Sequence, residues 1–236
     1  MKKLLAILVL GLLLSGNSNA SDWIIKNKWK VSCGIVDKES LVINGNPKTK
    51  FKKKQEFKLE NITFKLDKGD VGSCSTDKKP SGGYPYSGRQ EITHRLPVGK
   101  TIFETDIIIE GAPAYRSTVF QIHDGRNSGA PPSWVGIGSD WKIKHKFQKG
   151  ECSSENCKMI KYLYLEPEKK YRFKADINYE KNAKNLSVRY FLNDVFILQH
   201  LNVPLSKKKT DGPYGPSKPY MKIGIYRIGE TGTTTY

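Results

Sequence analysis

Three kinds of segment are missing from this chain of 236 residues, and their absence limits the fold classes that it could adopt. After residue 20, no stretch is apolar enough to cross a lipid bilayer as a helix. No window of helical periodicity is longer than two turns, and no unit of roughly 20–50 residues repeats. The sequence therefore does not favour a membrane-spanning, helical or repeat architecture. The segments that it does contain are short and strand-like.

The first 20 residues have the features of a secretory signal. Two lysines open the segment, an apolar run follows over residues 4–14, and Ser18-x-Ala20 supplies small residues for cleavage. No cysteine stands at the cleavage point, so a lipoprotein is not indicated. We expect residues 1–20 to be a Sec-type signal peptide and residues 21–236 to form a single domain, secreted or periplasmic.

Acidic residues are scarce beside basic ones. The chain has 40 Lys and Arg against 23 Asp and Glu, a formal net charge of +17. In an exported protein such a charge would attract a polyanion: nucleic acid, anionic polysaccharide or lipopolysaccharide. A generally lysine-rich surface would give the same charge. Because no nucleic-acid-binding module is recognised, we expect no nucleic-acid partner.

Cysteines are also few, and their even number predicts disulfides in an exported protein. The four are Cys33, Cys74, Cys152 and Cys157. Because Cys152 and Cys157 enclose only four residues, the favoured pairing is Cys33–Cys74 and Cys152–Cys157, although the other two pairings stay open. A zinc site is less favoured, since no histidine stands at ligand spacing from either pair.

Short strand-like segments separated by Gly, Pro and Asn turns run along most of the chain. Asn193-Asp194 is a hairpin signal between two of them. The pattern predicts an all-β fold, an antiparallel β-sandwich of the concanavalin-like jelly-roll type. The predicted strands cover residues 23–25, 41–43, 57–59, 62–66, 89–94, 102–110, 117–123, 134–138, 161–165, 171–179, 186–192, 195–198 and 220–227.

The last long strand has two unlike faces, because side chains alternate with a period of two. One face should carry apolar core residues, namely Met221, Ile223 and Ile225. The other face carries two phenols, an ammonium and a glycine, namely Tyr220, Tyr226, Lys222 and Gly224. The glycine would leave room for a ligand against the backbone.

Two earlier strands place polar groups at i and i+2 in the same way. They contain Arg89-x-Glu91 and Gln121-Ile122-His123. The three motifs, in this order, resemble the jelly-roll polysaccharide lyases, whose alginate lyases carry R-x-E, Q-I-H and Y-x-K-x-G-x-Y. The Pro-Pro pair after the second motif and the Lys-Ile-Gly-Ile-Tyr-Arg ending are still more similar to the glucuronan lyase and heparin lyase I branch. The resemblance covers about residues 85–230.

The resemblance implies β-elimination from a uronate-containing polymer of the alginate, glucuronan or glycosaminoglycan type. Such a reaction removes the C5 proton of the uronate and expels O4, once the neighbouring carboxylate is neutralised. Arg89 and Gln121 are predicted to bind that carboxylate. His123 and Tyr226 are predicted to divide the base and acid roles. The residues predicted to line the groove are Lys222, Tyr220, Glu91 and Arg227. We expect a monomer without a catalytic cofactor, and a structural Ca²⁺ stays open.

Two alternatives belong to other classes of protein. The run Glu104-x-Asp106-x-x-x-Glu110 is similar to the carboxylates of jelly-roll glycoside hydrolases. Its spacing is one residue longer than theirs and Ile108 intervenes, so we interpret it as an edge or sheet-surface strand. A non-catalytic carbohydrate-binding protein would keep a basic groove without needing the predicted acid and base. The remaining histidines, His94, His145 and His200, are interpreted as structural.

Overall fold

The computed structural model of the chain consists of antiparallel strands, with no helix among the residues that it describes. No helix in this part of the chain is therefore long and apolar enough to cross a membrane. The predicted signal segment 1–20 lies outside the described residues. The described residues are 29–32, 41–43, 46–47, 62–67, 69–72, 74, 76–80, 84–85, 87–111, 113–114, 116–125, 131–147, 157–159, 163–181, 185–205, 218–228 and 234–235.

The strands are numbered in chain order. Those before residue 115 are β1 (Lys30–Ser32), β2 (Leu41–Ile43), β3 (Asn46–Pro47), β4 (Ile62–Leu66), β5 (Ser87–Arg95), β6 (Gly99–Ile108) and β7 (Glu110–Gly111). Those after it are β8 (Arg116–His123), β9 (Ser133–Ile137), β10 (Ile143–Phe147), β11 (Cys157–Met159), β12 (Lys170–Glu180), β13 (Asn185–Leu192), β14 (Val195–Pro204), β15 (Tyr220–Ile228) and β16 (Thr234–Thr235).

Two large sheets form the body of the fold. Sheet one has the strand order β1-β5-β15-β8-β9-β10, and sheet two has the order β11-β14-β13-β12-β6. Between β5 and β15 the chain crosses repeatedly from one sheet to the other, as in a jelly roll. A smaller sheet, β3-β2-β4-β16-β7, lies against sheet one, where β4 contacts β5 and β15. The all-β antiparallel sandwich predicted from the sequence is confirmed.

Aromatic side chains join the two large sheets. Phe120 of sheet one lies with its ring centroid 5.5 Å from that of Phe103 and 5.5 Å from that of Phe173, both in sheet two. Tyr190, also in sheet two, approaches Phe120 edge-on at 5.9 Å. Burying each of these side chains stabilises the fold by roughly 1.5–3 kcal/mol. The inner faces of the sheets therefore share one core.

The local predictions hold at most of the described strands. The strand predicted at residues 102–110 ends earlier, at Ile108, and Glu110 lies on β7 in the smaller sheet. The strands predicted at residues 23–25 and 57–59 lie outside the described residues. Alternate residues of β12 are buried, as a period of two predicts. Asn193 and Asp194 both have positive φ, 49° and 62°, which suits the tight turn predicted between β13 and β14. The strand predicted at residues 161–165 is wrong over its described part. Tyr164 makes only an isolated bridge to Lys142, because residues 166–169 turn away into β12.

Cysteine pairing is described only in part. Cys74 is disulfide-bonded, and no described cysteine is free. Its predicted partner Cys33 lies outside the described residues, as does Cys152. The predicted pairing of Cys33 with Cys74 and of Cys152 with Cys157 therefore stays a prediction.

Candidate active site

The three polar motifs lie on three neighbouring strands, with β15 between β5 and β8. On one side, Tyr226 is opposite Arg89 and Gly224 is opposite Glu91. On the other side, Lys222 is opposite Gln121. Residues directly opposite each other in an antiparallel pair share a face of the sheet. The motifs therefore form one polar face of sheet one, which we call the polar face.

Gly224 is required by the backbone geometry of this sheet, and it does not leave space for a ligand. Its φ of 131° is a conformation that favours glycine. A Cβ built there would lie 2.3 Å from the carbonyl oxygen of Gln90 and 2.8 Å from Cα of Glu91. The register between β15 and β8 also shifts between Ile223 and Tyr226, which marks a bulge at this point. The predicted space for a ligand is already filled by the neighbouring strand.

Glu91 is the centre of the polar face. Gln121 Nε2 donates a hydrogen bond to Glu91 Oε1. Lys222 Nζ donates to Glu91 Oε2 at 3.3 Å, and Arg89 Nη1 lies 3.6 Å from the same oxygen. The Glu91 side chain is only 2% exposed. The predicted groove-lining carboxylate is therefore a buried acceptor that organises three predicted site residues.

A second carboxylate, Asp77, completes this network and was not predicted. Its Oδ1 lies 2.9 Å from Nη2 of Arg89, and its side chain is fully buried. Its Oδ2 accepts a hydrogen bond from the backbone N–H of Cys74 at 3.0 Å. Burial raises the pKa of the Asp77 carboxyl, and the Arg89 guanidinium partly opposes that rise. The only sequence signal was its position three residues after a cysteine, which is too weak to identify it.

Charges in the network balance each other. The cations of Arg89 and Lys222 face the carboxylates of Asp77 and Glu91. Burial lowers the pKa of Lys222 to about 8, although Glu91 pulls it upward. For Arg89, burial lowers the pKa, but the two carboxylates outweigh burial and the net shift is upward. The large positive charge of the chain is therefore not concentrated in this network.

Tyr226 forms the more open end of the polar face. Its side chain is partly exposed, whereas Glu91, Gln121 and Lys222 are buried. The guanidinium carbon of Arg89 lies 4.2 Å from the centroid of the Tyr226 ring, and that of Arg116 lies 5.8 Å from it. Tyr226 Oη is 3.5 Å from Ser87 Oγ. This end of the face therefore combines a phenol with two guanidinium groups.

His123 lies at the other end, beside Tyr220. The two rings are stacked, with centroids 4.9 Å apart and planes 1° apart. His123 Nε2 is 3.3 Å from Gln121 Oε1. Both rings are buried, with 8% exposure for His123 and 3% for Tyr220. The histidine is thus held by stacking and by the amide that also binds Glu91.

The structure does not bring His123 and Tyr226 together. His123 is opposite Tyr220, six positions along β15 from Tyr226, and such positions are separated by roughly 20 Å along a strand. The side chains do not close this gap, since the His123 ring stacks on Tyr220 while the Tyr226 hydroxyl is directed toward Ser87. The prediction that these two residues divide the acid and base roles at one linkage does not agree with this geometry.

Arg227 is also absent from the polar face. It follows Tyr226 on β15 and so lies on the opposite side of the sheet. Its Nη1 donates to the carbonyl oxygen of Leu66 at 3.1 Å, and its Nη2 donates to that of Asp67. The residue is only 1% exposed. Its predicted role in substrate binding is corrected to a structural one, since it ties β15 to the end of β4.

Two of the three carboxylates considered for a glycosidase lie on sheet two, whereas Glu110 lies on β7 of the smaller sheet. Glu104 and Asp106 are on β6, the edge strand of sheet two, where Glu104 is partly exposed and Asp106 is exposed. Asp106 pairs with Lys170 at 2.8 Å, and Glu104 pairs with Arg172 at 3.6 Å. Their interpretation as a sheet-surface strand is confirmed.

Among the described residues, no group of three or more His, Cys, Asp and Glu side chains could hold a metal ion. The side chains of the polar face themselves supply a phenol, guanidinium groups, an ammonium, carboxylates, an amide and an imidazole. The expectation that catalysis needs no cofactor stays a prediction, and a structural Ca²⁺ stays open.

Comparisons with known proteins give only a distant likeness. No family model matches the chain, and no curated protein matches it either. Among solved structures, the chain is similar to the alginate lyase AlyC3 in complex with dimannuronate, at 13% sequence identity and a TM-score of 0.42. The match covers 91% of this chain and 87% of that one. A likeness this distant carries no conclusion about activity.

Proposed function

We propose that this chain is a polysaccharide lyase that cleaves a uronate-containing anionic polysaccharide by β-elimination. The observation that supports the proposal is the convergence of the three motifs on one face of sheet one. Glu91 contacts Gln121, 30 residues away, and Lys222, 131 residues away. Motifs so far apart in the sequence share one network, and that network has a partly exposed phenol at its end.

Tyr226 would act as both base and acid. The Tyr226 hydroxyl first gives up its own proton to solvent. The resulting phenolate oxygen takes the C5 proton of the uronate, and the electrons of that C–H bond form the C4–C5 double bond. The C4–O4 bond then breaks, and the same proton passes to O4. One group can perform both transfers when the proton and the leaving oxygen lie on the same side of the ring. This assignment fits the structure better than a division of roles, because His123 lies far from Tyr226 along the sheet.

The other polar residues would prepare the site. Arg89 packs its guanidinium against the Tyr226 ring and holds the ring in place. A cation must also neutralise the carboxylate on C5, since the proton is otherwise too weakly acidic. Arg89 and Arg116 are the cations that contact the Tyr226 ring. Gln121 would hold this network together, since its amide contacts both Glu91 and His123.

The substrate class follows from this chemistry and from the net charge of +17. Alginate, glucuronan and glycosaminoglycans all carry uronates linked through O4. A protein exported through a signal at residues 1–20 would meet such polymers outside the cytoplasm. No geometric observation favours a glycoside hydrolase, because Glu104 and Asp106 are engaged in ion pairs on the surface of sheet two.

A panel of purified uronate polymers tests the proposal. The mature protein should raise the ultraviolet absorbance of the new C4–C5 double bond with at least one polymer, and Tyr226→Phe should not. New reducing ends without unsaturated product would indicate hydrolysis instead. Polymer binding with neither product would indicate a carbohydrate-binding protein, and either result would reject the proposal.

A further inference from the structure

We propose that Arg116, and not Arg89, binds the carboxylate of the substrate sugar beside Tyr226. Arg116 was not a candidate in the sequence, since it lies outside all three motifs. This inference rests on the proposed lyase function and assigns the anion-binding residue of the same site.

The partners of Arg89 already neutralise it. Its Nη2 lies 2.9 Å from Asp77 and its Nη1 lies 3.6 Å from Glu91, so each terminal nitrogen faces a carboxylate. Its side chain is only 12% exposed. A substrate carboxylate at Arg89 would approach two like charges that are already bound there. Arg89 is therefore better suited to positioning Tyr226 than to receiving an anion.

Arg116 has the opposite surroundings. It is opposite Ile228 on β15, two positions from Tyr226 and hence on the same face. Its guanidinium carbon lies 5.3 Å from the centroid of the Trp134 ring and 5.8 Å from that of Tyr226. Within the described part of the chain it makes no ion pair, and its buried Nε has no hydrogen-bond partner. Two aromatic rings thus hold a guanidinium group whose donors remain available.

Position also favours Arg116 over Gln121. The carboxylate of a uronate is bonded to C5, the carbon that loses its proton, so its binding residue must lie close to the base. Arg116 contacts the Tyr226 ring. Gln121 is opposite Lys222, four positions along β15 from Tyr226, or roughly 13 Å along the strand. A guanidinium group also matches the geometry of a carboxylate better than an amide does.

Binding to an inactive protein tests this assignment separately from turnover. Uronate oligosaccharides and their methyl-esterified forms would be titrated against Tyr226→Phe, with and without Arg116→Gln. Arg116→Gln should weaken binding of the free acid roughly 10- to 100-fold, as expected for loss of a hydrogen bond between charged groups. It should leave binding of the ester nearly unchanged. Arg116→Lys, which keeps the charge but not the paired donors, should give an intermediate loss.

Arg189→Gln is the matched control, since it removes the same charge from an exposed position on β13 of sheet two. Equal losses for the acid and the ester, or equal losses for Arg116→Gln and Arg189→Gln, would overturn the assignment. So would a protein that binds no uronate oligosaccharide. If the wild type binds through Arg116 but forms no unsaturated product, the assignment stands and the lyase proposal fails. If turnover occurs and Arg116→Gln changes neither KM nor kcat, the lyase proposal stands and the assignment fails.

Discussion

Two clusters of polar side chains are buried in this protein, and they satisfy their polar groups in different ways, one by ion pairs and the other by neutral hydrogen bonds. The polar face of sheet one joins Arg89, Lys222, Asp77 and Glu91 through ion pairs. A second cluster, which we call the inter-sheet cluster, consists of Ser133, Tyr190, His145 and His200. There, Ser133 Oγ lies 2.7 Å from Tyr190 Oη and 2.8 Å from His200 Nδ1, and His145 Nδ1 lies 3.2 Å from His200 Nε2.

The inter-sheet cluster is neutral. Burial, together with the neighbouring His145, lowers the pKa of His200 to about 3. Burial also lowers the pKa of His145 and raises that of Tyr190. A chain of neutral hydrogen bonds can be buried at little cost if every member has a partner. The cluster joins β9 and β10 of sheet one to β13 and β14 of sheet two, in agreement with the structural role predicted for both histidines.

The polar face is ionic, and it reaches a partly exposed side chain at Tyr226. Burying ions is costly, and a buried pair often stabilises a protein less than apolar side chains of similar size would. A network of this kind therefore indicates a use other than stability. The difference in charge and in exposure separates a candidate site from a structural contact, although both clusters contain a tyrosine and a histidine.

The same substitution in both clusters gives the largest expected contrast. Tyr226→Phe removes the proposed acid–base hydroxyl and should lower turnover by roughly 10²–10⁴-fold. The free energy of unfolding should fall by only about 1 kcal/mol or less, because the hydroxyl's contact with Ser87 is long, at 3.5 Å. Rates from the ultraviolet assay and urea unfolding measure the two effects.

Tyr190→Phe is the matched control for that change. It should cost about 1–3 kcal/mol in unfolding free energy, since Ser133 loses a buried partner, and it should leave turnover unchanged. Ser87→Ala is a second control, because it removes the contact partner of Tyr226 and keeps the phenol. Near wild-type turnover in Tyr226→Phe would contradict the mechanism.

The fold and the faces of the strands could be predicted because both depend on local patterns. A period of two was enough to put Arg89 and Glu91 on one face, and likewise Gln121 and His123. Which residues meet across the sheet depends on register, and register is determined by contacts between distant segments. The separation of His123 from Tyr226 was therefore outside what the sequence could show.

Contacts that no local sequence pattern encodes were the other limit on predicting the site. Asp77 lies in a turn, and its contact with Arg89 joins that turn to β5. Arg116 stands at the start of β8 with no motif around it, so only the packing of its guanidinium near two rings sets it apart. The inter-sheet cluster takes one residue from each of four strands, so no local pattern could have identified it.

Removing Glu91, the central carboxylate of the polar face, should have the next largest effect, a loss of stability. Glu91→Gln leaves the buried ammonium of Lys222 without its acidic partner, and the free energy of unfolding should fall by about 3 kcal/mol at pH 7. Urea unfolding measures the loss, and Glu180→Gln, at an exposed position on β12, is the control. The double variant Glu91→Gln/Lys222→Met should recover part of it. If Glu91→Gln alone were as stable as the wild type, the Glu91–Lys222 ion pair would not be needed for stability.

The pKa of Lys222 makes that loss dependent on pH. It is about 8 in the folded protein against 10.5 for an ordinary lysine. Between these values the unfolded chain binds more protons, so the contribution of Lys222 to stability rises with pH in this window. At pH 9 the folded lysine is mostly neutral and has less need of Glu91. The cost of Glu91→Gln should therefore be smaller at pH 9 than at pH 7.

The inter-sheet cluster should respond to acid. The pKa of His200 is lowered from 6.5 to about 3 on folding, so between these values the unfolded chain binds the extra proton. Stability is then present above pH 6.5 and is lost as the pH falls, by about 2 kcal/mol between pH 8 and pH 5. His145, which faces His200, acts in the same direction. Urea unfolding at several pH values in this range gives the unfolding free energy as a function of pH. Its slope should be shallower for His200→Gln than for the wild type. Equal slopes would contradict the assignment of this pH dependence to His200.

The smallest effect is expected on the surface of sheet two. Glu104→Gln and Asp106→Asn each remove a partly exposed or exposed carboxylate that is paired with Arg172 or Lys170. Exposed ion pairs typically contribute about 0–1 kcal/mol, so the unfolding free energy should change little. Turnover should also be unchanged, because these side chains lie on the sheet opposite to the polar face. A glycoside hydrolase with its acid and nucleophile on β6 would instead lose nearly all activity in both variants. These two substitutions thus decide between two chemistries on one sandwich, and wild-type turnover in both would leave the polar face around Tyr226 as the site of reaction.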